Sequence, residues 1–297
     1  MRNFCTVADN DFFNKVSALN YSLSTNSCDS QDYSLHLLCL DDEIYEKCNN
    51  QENITCHKLS DLVRSDLLLS KSKNNAPSRE ALINSNGDID KAKYIQFIWS
   101  LSAYFSWWCL ENLEIEDILY IDSDIYFFSN YEKLYDHLED CSIGIVEHRC
   151  PYNPDNGKYN VGIVYFKNDL DGYKCCTWWK NCLLLTNHKF YITHGKCADQ
   201  KYLELFPELY ENVKVLDPFI GHLAPWNFFY HQYKEDKIIW NGHEQDLLYC
   251  HFSSFKSDFD NDTYVLGDRH GIVNPPNNFI QKISDLYYDT LKRFKKQ

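Results

Sequence analysis

In the segment Asp117-Ile-Leu-Tyr-Ile-Asp-Ser-Asp-Ile-Tyr-Phe-Phe128, an apolar run is followed by two aspartates, Asp122 and Asp124, before apolar residues resume. Residues 118–121 are apolar on both alternating faces, which is typical of a strand covered on both sides, as in α/β sheets. In an extended backbone, residues two apart point to the same side, with Cα atoms about 6 to 7 Å apart. We therefore expect the two carboxylates to share one site.

The charge around these aspartates predicts a metal ion. No Lys, Arg or His occurs from 113 to 132, and three further acidic residues precede the strand core. Like charges at a strand end require a cation. Oxygen ligands favour Mg²⁺ or Mn²⁺, and open α/β sheets bind ligands beyond the carboxyl ends of their strands. The pattern indicates a divalent metal at Asp122 and Asp124 that bridges to a diphosphate.

Two histidines are candidates for a third metal ligand. His251 follows an apolar strand, and His222 precedes the turn Leu223-Ala-Pro-Trp-Asn227. The sequence leaves the choice between them open. An imidazole ligand in either place would favour Mn²⁺ over Mg²⁺.

Composition narrows the class of protein. At 297 residues the chain can bury a full core. A net charge of −14 argues against nucleic acid as a partner, because nucleic-acid binding depends on clustered Lys and Arg. Aromatic residues make up 16% of the chain, more than a core requires, which suits stacking on sugar or base rings.

Cysteine use and the opening residues predict a cytoplasmic protein. The thirteen cysteines are irregularly spaced and form no C-x-x-C pair, which argues against a disulfide framework or metal ribbon. Residues 1–9 already have a strand pattern, which leaves no room for a signal peptide's apolar core.

Contact with a membrane is predicted only as a peripheral option. Residues 94–110 are too short and too interrupted by polar residues for a membrane span, and they predict a buried helix. The C-terminal helix ends in four basic residues, which suit an anionic membrane surface, although solvated charge at a helix end explains them as well. These residues are Lys292, Arg293, Lys295 and Lys296.

A β-α-β rhythm in the first half predicts a parallel sheet. Strands are predicted at 4–8, 35–40 and 54–59, and a long helix at 91–112. Residues 62–83 are charged and irregular, which predicts a loop that is either solvated or covers an anionic ligand.

Polar groups also follow the predicted strands of the second half. The strand at 142–146 ends in Glu147-His-Arg149, and in the segment 159–168 Asn160 offers a donor and an acceptor that suit sugar hydroxyls. Gly162 in the same segment permits close backbone approach.

A helix at 198–206 is predicted to begin around Asp199 and Gln200, and residues 246–250 are predicted as the last strand, which delivers His251. A terminal helix is predicted from Phe279.

In this order the motifs resemble GT-A glycosyltransferases, nearest to a bacterial group of nucleotide-sugar transferases related to glycosyltransferase family 8. The resemblance covers most of the chain. It depends on Val7-Ala-Asp9, Tyr120-Ile-Asp-Ser-Asp-Ile-Tyr-Phe-Phe128, Glu147-His-Arg149, Lys158-Tyr-Asn-Val-Gly-Ile-Val-Tyr-Phe-Lys-Asn168, Asp199-Gln-Lys-Tyr-Leu203 and Leu223-Ala-Pro-Trp-Asn227. Residues 60–95 match poorly, and the His-Gly-x-x-Lys-Pro-Trp signature of family 8 is absent, with His251-Phe-Ser-Ser-Phe-Lys256 in a similar place.

The resemblance implies an α/β, Rossmann-like GT-A fold with a central, mostly parallel sheet flanked by helices. It implies one catalytic domain over 1–297, in which 1–130 bind the nucleotide sugar, 131–255 bind the acceptor and 256–297 form an extension with the terminal helix. The implied activity transfers a sugar from a nucleoside-diphosphate sugar, typically a UDP-sugar, to a hydroxyl of a glycan or other acceptor. It depends on Mn²⁺ or Mg²⁺, and relatedness to family 8 favours retention of configuration.

The resemblance also implies roles for individual residues. Asp199, Gln200 and Glu147 are expected to face the sugar and acceptor as catalytic residues. The residues expected to bind the donor are Val7, Ala8, Asp9, Asp122, Ser123, Asp124, Asn160 and Trp226, and the expected metal ligands are Asp122, Asp124 and His251. Capping of a following helix is the alternative role for Asp9 and Asp199, and core packing for Trp226.

Two other functions are compatible with the paired carboxylates. A glycoside or phosphate-ester hydrolase also uses two carboxylates, but a glycosidase places them on opposite sides of the scissile bond. A catalytically silent nucleotide-sugar-binding protein would bind the donor without turnover. Metal-dependent binding of UDP would separate the transferase from the hydrolase.

Overall fold

A computed structural model describes residues 1–27, 33–76, 88–151, 156–185, 199–217, 220–267 and 270–295. Parts of the sequence predictions lie outside these ranges, namely residues 77–83 of the predicted loop, Ala198 at the start of a predicted helix, and Lys296.

The centre of the structure is a seven-stranded sheet in the order β3-β2-β1-β4-β7-β6-β8. Its strands are β1 (Arg2–Ala8), β2 (Tyr33–Cys39), β3 (Ile54–Lys58), β4 (Asp117–Ile121), β6 (Ile143–Glu147), β7 (Tyr159–Lys167) and β8 (Val213–Val215). β7 runs antiparallel to both of its neighbours, and every other pairing is parallel. The mostly parallel sheet confirms the predicted fold class.

Nine α-helices occur in the described residues, and they flank the sheet. They are α1 (Phe13–Thr25), α2 (Asp42–Cys48), α3 (Leu59–Ser65), α4 (Leu67–Asn74), α5 (Asp88–Asn112), α6 (Glu132–Leu138), α7 (Leu170–Leu185), α8 (Phe206–Leu209) and α9 (Asn278–Phe294). The loop predicted at 62–83 is wrong for its first half, because α3 and α4 occupy it. The side chain of Asp66 caps α4 by accepting hydrogen bonds from the backbone N–H groups of Leu68 and Leu69.

A smaller three-stranded sheet lies beside the carboxyl end of β4. It consists of β5 (Ile125–Phe127), β9 (His222–Leu223) and β13 (Tyr249–His251), in the order β5-β13-β9. β13 pairs antiparallel with β5 and parallel with β9. The second sheet therefore brings a distant part of the chain to the aspartates that follow β4.

Several short elements of the second half were not predicted. β10 (Gln232–Lys234), β11 (Lys237–Trp240) and β12 (His243–Gln245) form a sheet, and β14 (Lys256–Asp258) pairs with β15 (Thr263–Val265). The prediction that 246–250 is the last strand is thus wrong. The residues of these short strands are exposed or half-buried, except for the buried Ile238, and they lack the apolar alternation by which longer strands are identified. The helix predicted at 198–206 is a 3₁₀ segment, Gln200–Leu205, followed by the short α8.

The core lies on both faces of the central sheet. Leu119 and Ile121 of β4 pack into a cluster with α1, whereas Ile118 and Tyr120 pack into a second cluster with α5 and α7. This alternation explains why residues 118–121 of the strand are all apolar, as the sequence indicated.

α9 covers a third cluster beside the smaller sheet. The ring of Tyr287 stacks on Phe252, with centroids 4.1 Å apart and planes at 6°. At the end of α9, Lys292 pairs with Asp262 at 2.6 Å and Lys295 with Asp260 at 2.9 Å. No helix in the described ranges has the length and apolar character needed to cross a membrane, and the cysteines of those ranges are free thiols.

We predict that Tyr287→Ala lowers the free energy of unfolding by about 3 kcal/mol or more, because it removes a fully buried ring from the contact with Phe252. Chemical denaturation measures this change. Leu286→Ala is the control, because the neighbouring side chain is 46% exposed and its loss should cost less than about 1 kcal/mol. Equal costs for the two variants would contradict the packing role of Tyr287.

Candidate metal and donor site

A tight turn between β4 and β5 holds the two aspartates. The backbone N–H of Ile125 donates to the carbonyl of Asp122 at 3.1 Å, and the N–H of Asp122 donates to the carbonyl of Gly162 at 2.9 Å. Ser123, between the aspartates, is buried. The turn is therefore fixed from both sides, and its two carboxylates lie beyond the carboxyl end of the central strand.

His251 completes a cluster of three potential metal ligands. Its Nε2 atom lies 3.0 Å from Oδ1 of Asp124 and 3.6 Å from Oδ2 of Asp122. One ligand atom from each residue falls within 4.8 Å of the other two. Position 251 reaches the aspartates because β13 pairs with β5 in the register that sets His251 opposite Ile125. Two carboxylates and an imidazole fit a divalent cation such as Mn²⁺.

Asn160 orients the imidazole of His251. Its Oδ1 atom lies 3.3 Å from Nδ1 of His251 and accepts the backbone N–H of Gly162 at 2.8 Å. An N–H at Nδ1 therefore has an acceptor, which leaves the lone pair of Nε2 directed toward the carboxylates. A hydrogen bond of this kind fixes the tautomer of a metal-binding histidine. The sequence indicated sugar binding for Asn160 but not this contact.

Gly162 makes this arrangement possible. A Cβ atom at this position would lie 2.5 Å from Nδ1 of His251 and 2.6 Å from Oδ1 of Asn160. His251 is a candidate ligand and Asn160 orients it, and both side chains are buried, so they have little freedom to move. The sequence had indicated a close approach of the backbone at Gly162, and this is where it occurs.

The pKa values of the two carboxylates in the cluster are shifted in opposite directions. Burial raises the pKa of Asp122 and Asp124 alike, but Lys15 and His251 outweigh it at Asp124, whose pKa is lowered. At Asp122 burial dominates and the pKa is raised. Burial alone would lower the pKa of His251, yet the charges of Asp124 and Asp122 raise it. A proton that the cluster takes up therefore goes to His251 or Asp122 in preference to Asp124.

Asp199 and Gln200 lie next to this cluster. Burial, followed by the charge of Asp122, raises the pKa of Asp199 to about 7. The side chain of Asp199 caps the 3₁₀ segment by accepting the N–H of Gln200 at 2.9 Å. Oε1 of Gln200 lies 3.5 Å from Nδ2 of Asn160. Both of these sequence candidates are thus brought to the metal cluster, and Asp199 is able to hold a proton near neutral pH.

Trp226 borders the cluster on another side. Its ring meets His251 edge-on at 5.2 Å and His148 at 5.3 Å. The indole N–H is buried without a hydrogen-bond partner. The turn that carries Trp226 is fixed by the fully buried Asn227, whose Nδ2 donates to the carbonyl of His148 at 3.2 Å.

His222, the competing ligand candidate, lies elsewhere. Its ring stacks on Tyr249 with centroids 4.7 Å apart, and burial lowers its pKa well below the usual value. His222 is not part of the three-residue metal cluster found in the described residues. The structure therefore places His251, and not His222, with the aspartates.

Other sequence candidates have contacts that do not involve the cluster. Glu147 forms an ion pair with Lys158 at 2.8 Å. Asp9 accepts the N–H of Asp11 at 3.1 Å, in the capping role considered for it. Val7 and Ala8 end β1, the parallel neighbour of β4, so this end of β1 and the aspartates lie on the same edge of the sheet.

Lys15 is a site residue that the sequence did not indicate. Its Nζ atom lies 3.5 Å from Oδ2 of Asp124. The residue belongs to α1, far from the aspartates in sequence, and no local pattern marks a lysine in a helix as a partner of a distant carboxylate.

We predict that Gly162→Ala weakens Mn²⁺ binding about tenfold or more, because the new methyl group displaces His251 and Asn160. Overpacking should also lower the free energy of unfolding by about 1–3 kcal/mol. Mn²⁺ affinity is measured by titration and stability by chemical denaturation. Gly144→Ala is a matched control, because Gly144 lies on β6 and its new methyl group would meet Leu138 of α6, so this variant should lose stability and keep its Mn²⁺ affinity.

We predict that Mn²⁺ affinity rises with pH through the near-neutral range. Protons compete with the metal for His251, whose pKa is raised, and for Asp122, whose pKa is also raised. Below the pKa of His251 the affinity should fall about tenfold per pH unit. Isothermal titration between about pH 8 and about pH 6 measures this slope, and His251→Gln should make it shallower. A pH-independent affinity would exclude His251 as a ligand.

Sequence comparisons identify relatives of this chain only at low identity among those found. No family model matches the chain. The chain is 25% identical over 267 residues to the uncharacterized protein YfnF of Bacillus subtilis, covering 85% of this chain and 81% of that protein.

Solved structures show the fold more directly. Mouse xyloside xylosyltransferase 1 matches with a TM-score of 0.53 and 12% identity, covering 84% of this chain and 97% of that one. The galactosyltransferase LgtC, solved with donor and acceptor sugar analogues, matches with a TM-score of 0.52 and 12% identity, covering 84% and 86%. This chain has the fold of the GT-A glycosyltransferases.

Proposed function

We propose that this protein is a metal-dependent glycosyltransferase, which moves a sugar from a nucleoside-diphosphate donor, most simply a UDP-sugar, to a hydroxyl of a glycan or related acceptor. The observation that carries the proposal is the cluster of Asp122, Asp124 and His251 at the carboxyl end of the central strand, with Asn160 orienting the imidazole. The GT-A fold supports it, because open α/β sheets bind their ligands at this edge.

The residues of the cluster have distinct parts in this proposal. Asp122, Asp124 and His251 would hold Mn²⁺ or Mg²⁺, which when bound supplies positive charge to the diphosphate leaving group. Asn160 keeps His251 in the ligating tautomer. The end of β1, with Val7, Ala8 and Asp9, would bind the base or ribose.

The acceptor side is formed by a second group of residues. Asp199 and Gln200 lie beside the metal cluster, and Asp199 is able to hold or accept a proton near neutral pH. Trp226, whose ring lies edge-on to His251, would contact a sugar ring of the acceptor. Glu147 is the remaining candidate on this side. We place the reaction in the retaining class, which requires no obligatory base, on the resemblance to family 8.

A glycoside hydrolase is less well supported. Its two carboxylates act from opposite sides of a glycosidic bond. Here both carboxylates converge on one imidazole nitrogen, which is the arrangement of ligands around a cation.

We predict that Asp124→Asn lowers Mn²⁺-dependent turnover or hydrolysis of a UDP-sugar about 100-fold or more, because it weakens the hold on the metal that stabilises the leaving group. The donor is first identified from a panel of nucleotide sugars by thermal shift with and without Mn²⁺, and the active donor should stabilise the protein only when metal is present. Product formation is then followed by UDP release.

Asp61→Asn serves as the control, because Asp61 is exposed and pairs with Arg64 at the surface of α3. It should leave turnover unchanged. Metal-dependent turnover in Asp124→Asn at the rate of the wild type would contradict the proposed function.

A further inference from the structure

Lys15 shares the carboxylate of Asp124 with the candidate metal ligands. Its Nζ atom lies 3.5 Å from Oδ2, whereas Oδ1 of the same carboxylate lies 3.0 Å from Nε2 of His251. The lysine side chain is only 18% exposed. Its ammonium group also lies 4.7 Å from the centroid of the Phe12 ring, close enough for a cation–π contact. The ammonium group is therefore held at the edge of the metal cluster and does not extend freely into solvent.

Lys15 changes the net charge of the cluster. Asp122 and Asp124 bring two negative charges and Lys15 one positive charge, so in the state that binds a metal, with both carboxylates ionised and His251 neutral, these residues carry a net charge of about −1. A divalent cation changes this to about +1. A metal ion alone is thus bound by a site that is already half neutralised. A diphosphate, with its negative charges, matches the excess positive charge that remains.

We infer that Lys15 is the built-in counter-cation of this site, which weakens binding of the metal alone and thereby makes metal binding depend on the diphosphate of the donor. The inference depends on the proposed function, because it requires a diphosphate ligand. A cation that takes Asp124 as a ligand shares that carboxylate with the ammonium group, and the two positive charges repel each other in a half-buried site where screening by water is weak.

The diphosphate relieves this repulsion. The coupling between two ligands is reciprocal. If the diphosphate binds the metal-loaded site more tightly than the metal-free site, it must raise the affinity for the metal by the same factor. Lys15 enlarges this coupling, since its charge opposes the metal and favours the diphosphate.

The test is Mn²⁺ binding to the full chain, measured by the electron paramagnetic resonance signal of free Mn²⁺, with and without UDP. Lys15→Met should bind Mn²⁺ alone about tenfold more tightly than the wild type. The factor by which UDP raises the Mn²⁺ affinity should shrink by a similar amount. Lys15→Arg keeps the charge and should resemble the wild type.

Lys58→Met is the charge-matched control. Lys58 pairs with Asp42 at 2.8 Å at the end of β3, away from the metal cluster, and its loss removes the same charge from the chain. It should leave Mn²⁺ affinity unchanged. Lys15→Gln, which keeps a polar end, replaces Lys15→Met if circular dichroism shows that the methionine variant is unfolded.

The inference is overturned if folded Lys15→Met or Lys15→Gln binds Mn²⁺ alone no more tightly than the wild type, or if Lys58→Met produces the same gain. A failure of the proposed function would be recognised by a different result. In that case Asp124→Asn would bind Mn²⁺ as tightly as the wild type. If neither the wild type nor the Lys15 variants bind Mn²⁺, both ideas fall. If the Lys15 variants bind Mn²⁺ in the absence of UDP and the wild type does not, the inference is supported.

Discussion

The repulsion between Asp122 and Asp124 is the constraint on which the rest of the site depends. A buried strand delivers both carboxylates to one place, and the surrounding residues compensate their charge. His251 contributes an imidazole and Lys15 an ammonium group to the same carboxylate of Asp124. In the proposed function, a divalent metal would complete a compensation of charge that the protein itself provides only in part.

The fold brings these groups together through two sheets. β4 lies in the middle of the large sheet and is covered on both faces, so its carboxyl end is fixed. β13 of the small sheet then pairs with β5 and sets His251 against the aspartates. β7 runs antiparallel beside β4 and carries both Asn160 and Gly162, whose carbonyl accepts the N–H of Asp122. Three segments far apart in sequence thereby hold one ligand cluster.

The parts of this site that the sequence predicted are those with a local pattern. Asp122 and Asp124 follow an apolar strand, and alternation places them together. The choice between His251 and His222 depended on the pairing of β13 with β5 and β9, which is a long-range register that no local pattern determines. Lys15 lies on a helix whose rotation over the sheet decides its partner, so its role became visible only in three dimensions. The short exposed strands after β9 were missed because they bury little apolar surface.

The central claim is that Asp122, Asp124 and His251 together bind a divalent metal that holds the donor diphosphate. Crystals grown with Mn²⁺ and UDP, measured at the manganese absorption edge, test it most directly. We predict one anomalous peak bounded by the two carboxylates and Nε2 of His251, with the diphosphate of UDP as a further ligand. A peak at another position, or UDP bound in the cleft without a metal at these residues, would contradict it.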